Sequence, residues 1–301
     1  MPRDLISRYV WIVDTLTRYE RLTRAQLNKL WLRSTLSHGQ ELPERTFFHY
    51  RRAIEENFQI EIACDSQGRY YIDRENTRQS KAFTNWMLDS YAVSSAIQGS
   101  DTPVDRVEIE DVPSAREFLP IVLDAIRDSH KVAFTYAGFN RSRAEHGIKF
   151  HPYFLKRYKQ RWYMIGLREK SGDIRTYALD RVKEMTAVDE SFVKPVDIEL
   201  DDLFGNVIGV SSSKAEVRTV KLQATPTQAK YFRALPLHSS QQEEVHDLYS
   251  IFTYQLKLNY ELVHEILGMG EAVKVIAPAE LKAMVLTELK SALKQYENPE
   301  E

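Results

Sequence analysis

The chain has 301 residues, 43% of them hydrophobic and 28% charged, with a formal net charge of −2. That length exceeds one ordinary core and implies two or three domains. No apolar run approaches the roughly 20 residues that a bilayer-spanning helix needs, and a single cysteine, Cys64, excludes an intrachain disulfide or a cysteine-rich zinc site.

In chain order, Leu5, Tyr9, Ile12, Val13 and Leu16 recur at helical spacing and predict an amphipathic first helix. Its acidic Asp4 and the lack of a small-residue cleavage site do not read as a signal peptide, so the cytoplasm is expected. Thr23 suits the N-cap of a second helix bearing Leu27, Leu30 and Trp31. A polar turn containing Gly39 follows. Pro43 suits the first turn of a third helix whose inward stripe is Phe47, Tyr50, Ile54 and Phe58. Residues 60–63 and 69–72 alternate around Asp65-Ser66-Gln67-Gly68, the pattern of a β-hairpin. Three helices and a hairpin are the order of a winged helix-turn-helix.

Residues 78–97 are again helical in pattern, 98–105 read as a linker, and 117–129 predict a helix with Leu119, Val122, Leu123 and Ile126 on one side. Short strands follow at 131–136, 150–156, 161–167 and 175–179, closely spaced as in a small barrel. Beyond residue 200 the order is mixed: strand 217–224, a helix begun by Pro226, strands 244–253 and 254–258, helix 260–267, strand 273–276 and a long final helix from Pro278. That fits a small α+β domain. The expected domains are 1–75, a helical linker 76–129, 130–195 and 200–301.

Charge is unevenly spread. Residues 149–181 carry nine Lys/Arg against three acids, whereas 189–301 carry eleven against eighteen. Such asymmetry points to an anion-facing surface in the middle of the chain, or to a well-solvated strand face. On the third helix, Arg45, His49 and Arg52 form an outer stripe beside Thr46, Phe48 and Arg51. Arginines can reach guanine edges or phosphates, and an aromatic can touch a thymine methyl, so this helix is the candidate reader of double-stranded DNA. Arg69 and Tyr70 lie near the hairpin tip, suited to phosphate or minor-groove contact. One such helix seldom gives enough affinity alone, so a homodimer is expected.

Three linked stretches are the most distinctive: His151-Pro152-Tyr153-Phe154-Leu155-Lys156-Arg157-Tyr158, then Arg161-Trp162-Tyr163-Met164, then Arg175-Thr176-Tyr177-Ala178-Leu179-Asp180-Arg181. Strand alternation sends Tyr163 and Ile165 to one face and Trp162 and Met164 to the other. The pattern resembles the WYL domain, named for a Trp-Tyr-Leu triplet that here ends in Met164, a volume-conserving change. The resemblance covers nearly the whole chain. It implies a bacterial transcription regulator built as an α+β multidomain protein: a winged helix-turn-helix, a central Sm-like or SH3-type β-barrel, and a ferredoxin-like C-terminal extension called WCX. It further implies a basic pocket that senses a nucleotide or single-stranded nucleic acid. By position, the pocket or its supports would be His151, Tyr153, Trp162, Tyr163, Arg175 and Arg181, with Lys156 and Arg157 as further candidates. Trp162 and Leu179 suit a barrel core better than a ligand contact, Tyr153 either role, and Arg181 an ion pair with Asp180.

No dinucleotide-binding, phosphate-loop, serine-hydrolase or zinc-protease motif occurs, so no enzyme activity, cofactor or metal is expected. Cys64 reads as a largely buried free thiol. Two alternatives stay open. One is an RNA- or single-strand-binding accessory protein that works through the barrel, with the winged helix used for dimerisation. The other is a protein-binding partner domain acting through the acidic C-terminal region.

Overall fold

The computed structural model describes residues 3–58, 60–73, 86, 90, 115, 117–139, 142–211 and 215–297. The chain divides into two compact units, Met1–Glu110 and Asp111–Glu301. The helix and linker expected at 78–97 and 98–105 lie outside the described residues, Trp86 and Ser90 excepted.

In the first unit, α1 (Arg3–Tyr19) buries the expected stripe of Tyr9, Ile12, Val13 and Leu16. A two-residue strand, β1 (Leu22–Thr23), runs into α2 (Arg24–Trp31). Thr23 closes a capping box: its hydroxyl accepts from the Gln26 amide while the Gln26 side chain accepts from the Thr23 amide. The exit from α2 is pinned twice. Trp31 Nε1 donates to the Gln40 carbonyl at 3.0 Å, and the Leu42 amide donates to Asn28 Oδ1 at 2.9 Å. Then comes α3 (Glu44–Phe58), which buries Phe47, Tyr50 and Ile54. The Pro43 carbonyl accepts from the Phe47 amide, so Pro43 sits just ahead of the helix rather than within its first turn. Strands β2 (Ile62–Cys64) and β3 (Arg69–Ile72) form the expected hairpin, with Gly68 at a φ of 72° where a side chain would be strained. β1 pairs with the other edge of β3, giving the order β1-β3-β2. Two residues are too few for a periodicity, so the sequence gives no sign of β1. Cys64 lies exposed at the end of β2, contrary to its expected burial.

The second unit opens with α4 (Leu119–Asp128), which drives Val122 and Ala125 into the core of the sheet that follows. Leu123, expected on that side, is 55% exposed, because the buried ridge runs through Ala125. The sheet holds β4 (His130–Tyr136), β5 (Glu145–Tyr158), β6 (Arg161–Arg168), β7 (Asp173–Ala178) and β8 (Val182–Ser191), antiparallel in the order β7-β6-β5-β4-β8. A 3₁₀ turn, Leu179–Arg181, joins β7 to β8. β8 was not legible because only Val182 and Met185 are buried along it. Both faces of the central strands are covered. Trp162, Met164, Phe150, Tyr177 and Leu155 lie on one side; Tyr163, Ile165 and Phe154 pack on the other with Leu200, Leu203, Phe204 and Val207. Leu200–Phe204 is the short helix α5.

The last part comprises β9 (Val217–Ala224), α6 (Pro226–Ala234), β10 (Gln242–Val245), β11 (Ser250–Lys257), α7 (Tyr260–Gly268), β12 (Val273–Ala277) and α8 (Ala279–Glu297). Its four strands are antiparallel in the order β10-β11-β9-β12. The strand break expected after Thr253 falls instead at the turn His246–Tyr249, where the His246 amide donates to the Tyr249 carbonyl. Thr253 and Tyr254 continue one strand.

Met164 is fully buried in the sheet core, paired across strands with Leu155 and Tyr177. Met164→Ala should therefore cost about 2–5 kcal/mol in urea unfolding, whereas Leu123→Ser should stay within about 0.5 kcal/mol of the parent. Equal costs would contradict this packing.

Candidate functional site

The outer face of α3 carries most of the expected DNA-facing residues. Arg45, His49 and Arg52 are exposed, Thr46 and Arg51 half-buried, and Phe48 is 41% exposed. Arg52 makes an i,i+4 pair with Glu56 at 2.8 Å. Both partners are well exposed, so the pair is weak and another anion can displace it. The hairpin residues behave differently. Arg69 is drawn back onto Asp65, which accepts from its Nε at 2.9 Å and from its amide at 3.0 Å. Those bonds, with the Arg21 pair at 3.0 Å, hold the Asp65 carboxyl down at about 2. Tyr70 corrects the sequence expectation: it is 8% exposed and packs edge-on to Phe47 at 4.8 Å, so its ring is core rather than wing tip.

In the five-stranded sheet, register decides which expected pocket residues can meet. Lys156 pairs with Tyr163 and His151 with Leu167 on one face; Arg157 pairs with Trp162, and Gly166 with Arg175, on the other. The eight expected residues therefore do not converge on one pocket. His151 stacks on Phe192 with ring centres 5.2 Å apart, burial holds its imidazole pKa down, and its Nε2 is buried without a partner. Tyr153 is buried at a bulge between Pro152 and Phe154 and also meets the Phe192 ring, at 5.5 Å. Trp162 packs into the sheet core, and Tyr163 against the α5 side. Lys156 departs most from expectation. Its Nζ lies 4.1 Å from the Phe204 ring centre and donates to the Gly209 carbonyl at 2.7 Å, fastening the 200–211 segment to the sheet.

Two basic-aromatic clusters remain. In one, the hydroxyl of buried Tyr177 lies in the field of Arg168, Glu145 and Arg175, with Tyr136 edge-on at 4.9 Å. Arg168 is ion-paired to Glu145, yet its buried Nε has no partner. Arg175 is exposed and paired to Asp173 at 3.1 Å. Beside Arg168 opens a cleft of about 320 Å³ lined by Glu145–Lys149 and Arg168, Glu169 and Lys170. In the other cluster, Arg181 lies 3.8 Å from the centre of the exposed Phe139 ring, and its buried Nε lacks a partner. Asp180 pairs with Arg161 at 3.5 Å rather than with Arg181.

Sequence reasoning missed Phe139, Phe192, Arg161 and Arg168. The two arginines lie inside the basic segment and flank the Trp-Tyr-Met triplet, so charge alone could have flagged them. The two phenylalanines are brought in by tertiary structure and left no local signal. Much of the segment's excess charge is met by acids from elsewhere: Lys149 by Glu190 at 2.8 Å, Lys159 by Glu265 at 2.6 Å, and Arg168 by Glu145. Among the described residues, no group of three or more His, Cys, Asp or Glu is placed to hold a metal ion. Nor is any described helix long and apolar enough to cross a membrane.

Two domain models match parts of the chain. A model of the WYL domain matches residues 117–187, and a model of the WCX domain matches residues 216–293. The chain thus carries a WYL domain followed by a WCX domain. The WYL match takes in α4, which the sequence had suggested was linker. No curated protein sequence matches the chain. Among solved structures it is similar to proteasome accessory factor B/C (PafBC) of Arthrobacter aurescens, at 21% identity and a TM-score of 0.36, over 95% of this chain and 46% of that one. The chain thus spans less than half the length of that protein. A second similar structure is described as a CRISPR Cas-related protein, at 10% identity and a TM-score of 0.39, over 87% of this chain and 76% of that one.

Lys156 yields a pH test. Taking it out of water pushes its ammonium from 10.5 to about 8, with Glu261 opposing only in part. The unfolded chain keeps that proton up to 10.5, so above about pH 8 unfolding takes up a proton and stability rises with pH. Urea midpoints should climb between about pH 8 and 9.5, and the climb should be smaller in Lys156→Met. Parallel curves for the two proteins would show that this lysine is not the source.

Proposed function

We propose that the chain is a cytoplasmic, sequence-specific DNA-binding transcriptional regulator. In this reading Met1–Glu110 contains a winged helix-turn-helix that reads duplex DNA through α3. The WYL sheet is an Sm-like barrel that senses a nucleotide or single-stranded nucleic acid, and the WCX part is ferredoxin-like. The observation that carries the reading is the outer face of α3. It sets Arg45, His49, Arg51 and Arg52 on the solvent side of a helix whose other side is locked into the core, next to a hairpin with a third strand. A groove-reading helix needs that combination: a rigid mount and guanidinium groups directed outward. The WCX strand and helix order, β9-α6-β10-β11-α7-β12 with β9 central, supports the ferredoxin-like assignment.

For the sensor, Arg168 and Arg175 near the Tyr177 hydroxyl, and Arg181 against the exposed Phe139 ring, supply what an anionic, base-bearing ligand requires. Guanidinium groups take the phosphate in paired hydrogen bonds, and aromatic faces stack on a base. Arg168 and Arg181 each keep one buried N–H donor without a protein acceptor. We assign Arg175 and Arg181 to the ligand, and Arg157 to the same face as Trp162. His151, Tyr153 and Tyr163 hold the sheet in shape. The near-neutral charge of the first 75 residues limits affinity for arbitrary DNA, so a homodimer reading two half-sites is the working form.

Selection of bound duplexes from a random pool, with and without single-stranded oligonucleotides, tests the whole reading. Arg45→Ala with Arg52→Ala should remove specific duplex binding and flatten the dependence on salt by about one unit of slope per lost phosphate contact. Arg175→Ala should leave duplex affinity alone and abolish the response to single strands. Unchanged duplex affinity in the α3 double variant, with Arg175→Ala losing all nucleic-acid binding, would instead make the protein a single-strand-binding module.

A further inference from the structure

Phe48 is the one residue on the outer face of α3 that burial does not explain. Its neighbour Phe47 is fully buried, yet Phe48 leaves 41% of its surface in water. The ring is also held in place. Its edge meets Phe47 at 5.7 Å and Tyr70 at 6.4 Å, and both of those rings are buried. Phe47 is braced in turn by the Arg24 guanidinium, 4.6 Å from its ring centre, which donates to the Leu42 carbonyl at 2.6 Å. One turn away along the helix stand Arg45 at i−3, Arg51 at i+3 and Arg52 at i+4. A fixed apolar surface thus lies among three guanidinium groups, with Glu44 at i−4 and Arg52 in a weak exposed pair with Glu56 at 2.8 Å.

That arrangement selects the occupant. A protein partner with an apolar patch would have to bury three arginines, whereas a polyanion satisfies them. Within the major groove of a duplex, the apolar group offered at a base edge is the thymine 5-methyl. Resting on the proposed role of α3 in duplex recognition, we infer that Phe48 is the specificity residue for a 5-methylpyrimidine in the operator, closing over the thymine methyl while the flanking arginines hold phosphates or guanine. The contact excludes water from one methyl group, worth about a fourfold change in affinity.

The test changes the DNA before the protein. Duplexes selected by the parent protein are resynthesised with uracil in place of thymine, first throughout and then one position at a time. Uracil keeps every hydrogen-bonding group and removes only the methyl. Parent affinity should fall about fourfold at one position per half-site. Phe48→Ala should bind the thymine and uracil duplexes equally. Phe48→Leu, which keeps more of the packing against Phe47 and Tyr70, should retain part of the preference, and urea unfolding of both variants shows whether α3 remains folded. Three results overturn the inference while leaving DNA recognition by α3 intact: no invariant A·T pair in the selected duplexes, no loss on uracil substitution, or an undiminished thymine preference in Phe48→Ala. Failure to select any duplex would remove the DNA-binding reading itself, and this inference with it.

Discussion

The second unit depends on the burial of both faces of β6. Trp162 and Met164 point into the sheet's own core, and Tyr163 and Ile165 point into a second apolar layer supplied by the 200–207 segment. A strand with water on one side can lend that side to a ligand; a strand covered on both sides cannot. Of the triplet, Met164 is fully buried, and Trp162 and Tyr163 are half-buried on opposite faces. At the sheet's margins Arg175 is exposed, and Arg168 and Arg181 each keep a buried Nε without a partner. The buried amides and rings set the positions of these margins, and a few exposed ion pairs cover them.

The same logic separates the two basic regions of the chain. On α3 the arginines lie on a helix whose inner stripe is locked by Phe47, Tyr50 and Ile54, so their mount is fixed by packing, and Arg52 is engaged only in an exposed pair. In the sheet the cations are interlaced with carboxylates drawn from distant sequence, such as Glu145 and Glu190. Net charge over a window of sequence overstates the field at such a surface, because the neutralising partners lie outside the window.

How much of this was legible follows physical range. Elements fixed by local periodicity and capping were readable: the α1 and α3 stripes, the Thr23 cap, the Gly68 turn, and the alternation that parts Trp162 from Tyr163. Elements fixed by pairing were not. β1 is two residues long, and β8 buries only Val182 and Met185. Tyr70 read as a wing-tip residue because hairpin alternation does not say which face the body of the domain covers. Lys156 read as a ligand contact because nothing near it in sequence shows Phe204 and the Gly209 carbonyl waiting some 50 residues on. Phe139 and Phe192, in loops beyond the motif, were beyond the reach of any local pattern.

The 200–211 segment touches both halves of the second unit. Lys156 fastens it to the WYL sheet through Gly209. On the other side Glu261, from α7, accepts from the amides of Val210 and Ser211 and from the Ser211 hydroxyl, while Asn259 donates to the Ile208 carbonyl. Tyr158 reaches past it to Glu265 at 3.0 Å. WYL and WCX are matched separately along the sequence, but they are not independent cassettes. A chimera that swaps one for a homologue's copy inherits a mismatched strap unless Phe204–Ser211, Lys156 and Glu261 travel together, so the natural unit of exchange is the whole of Asp111–Glu301.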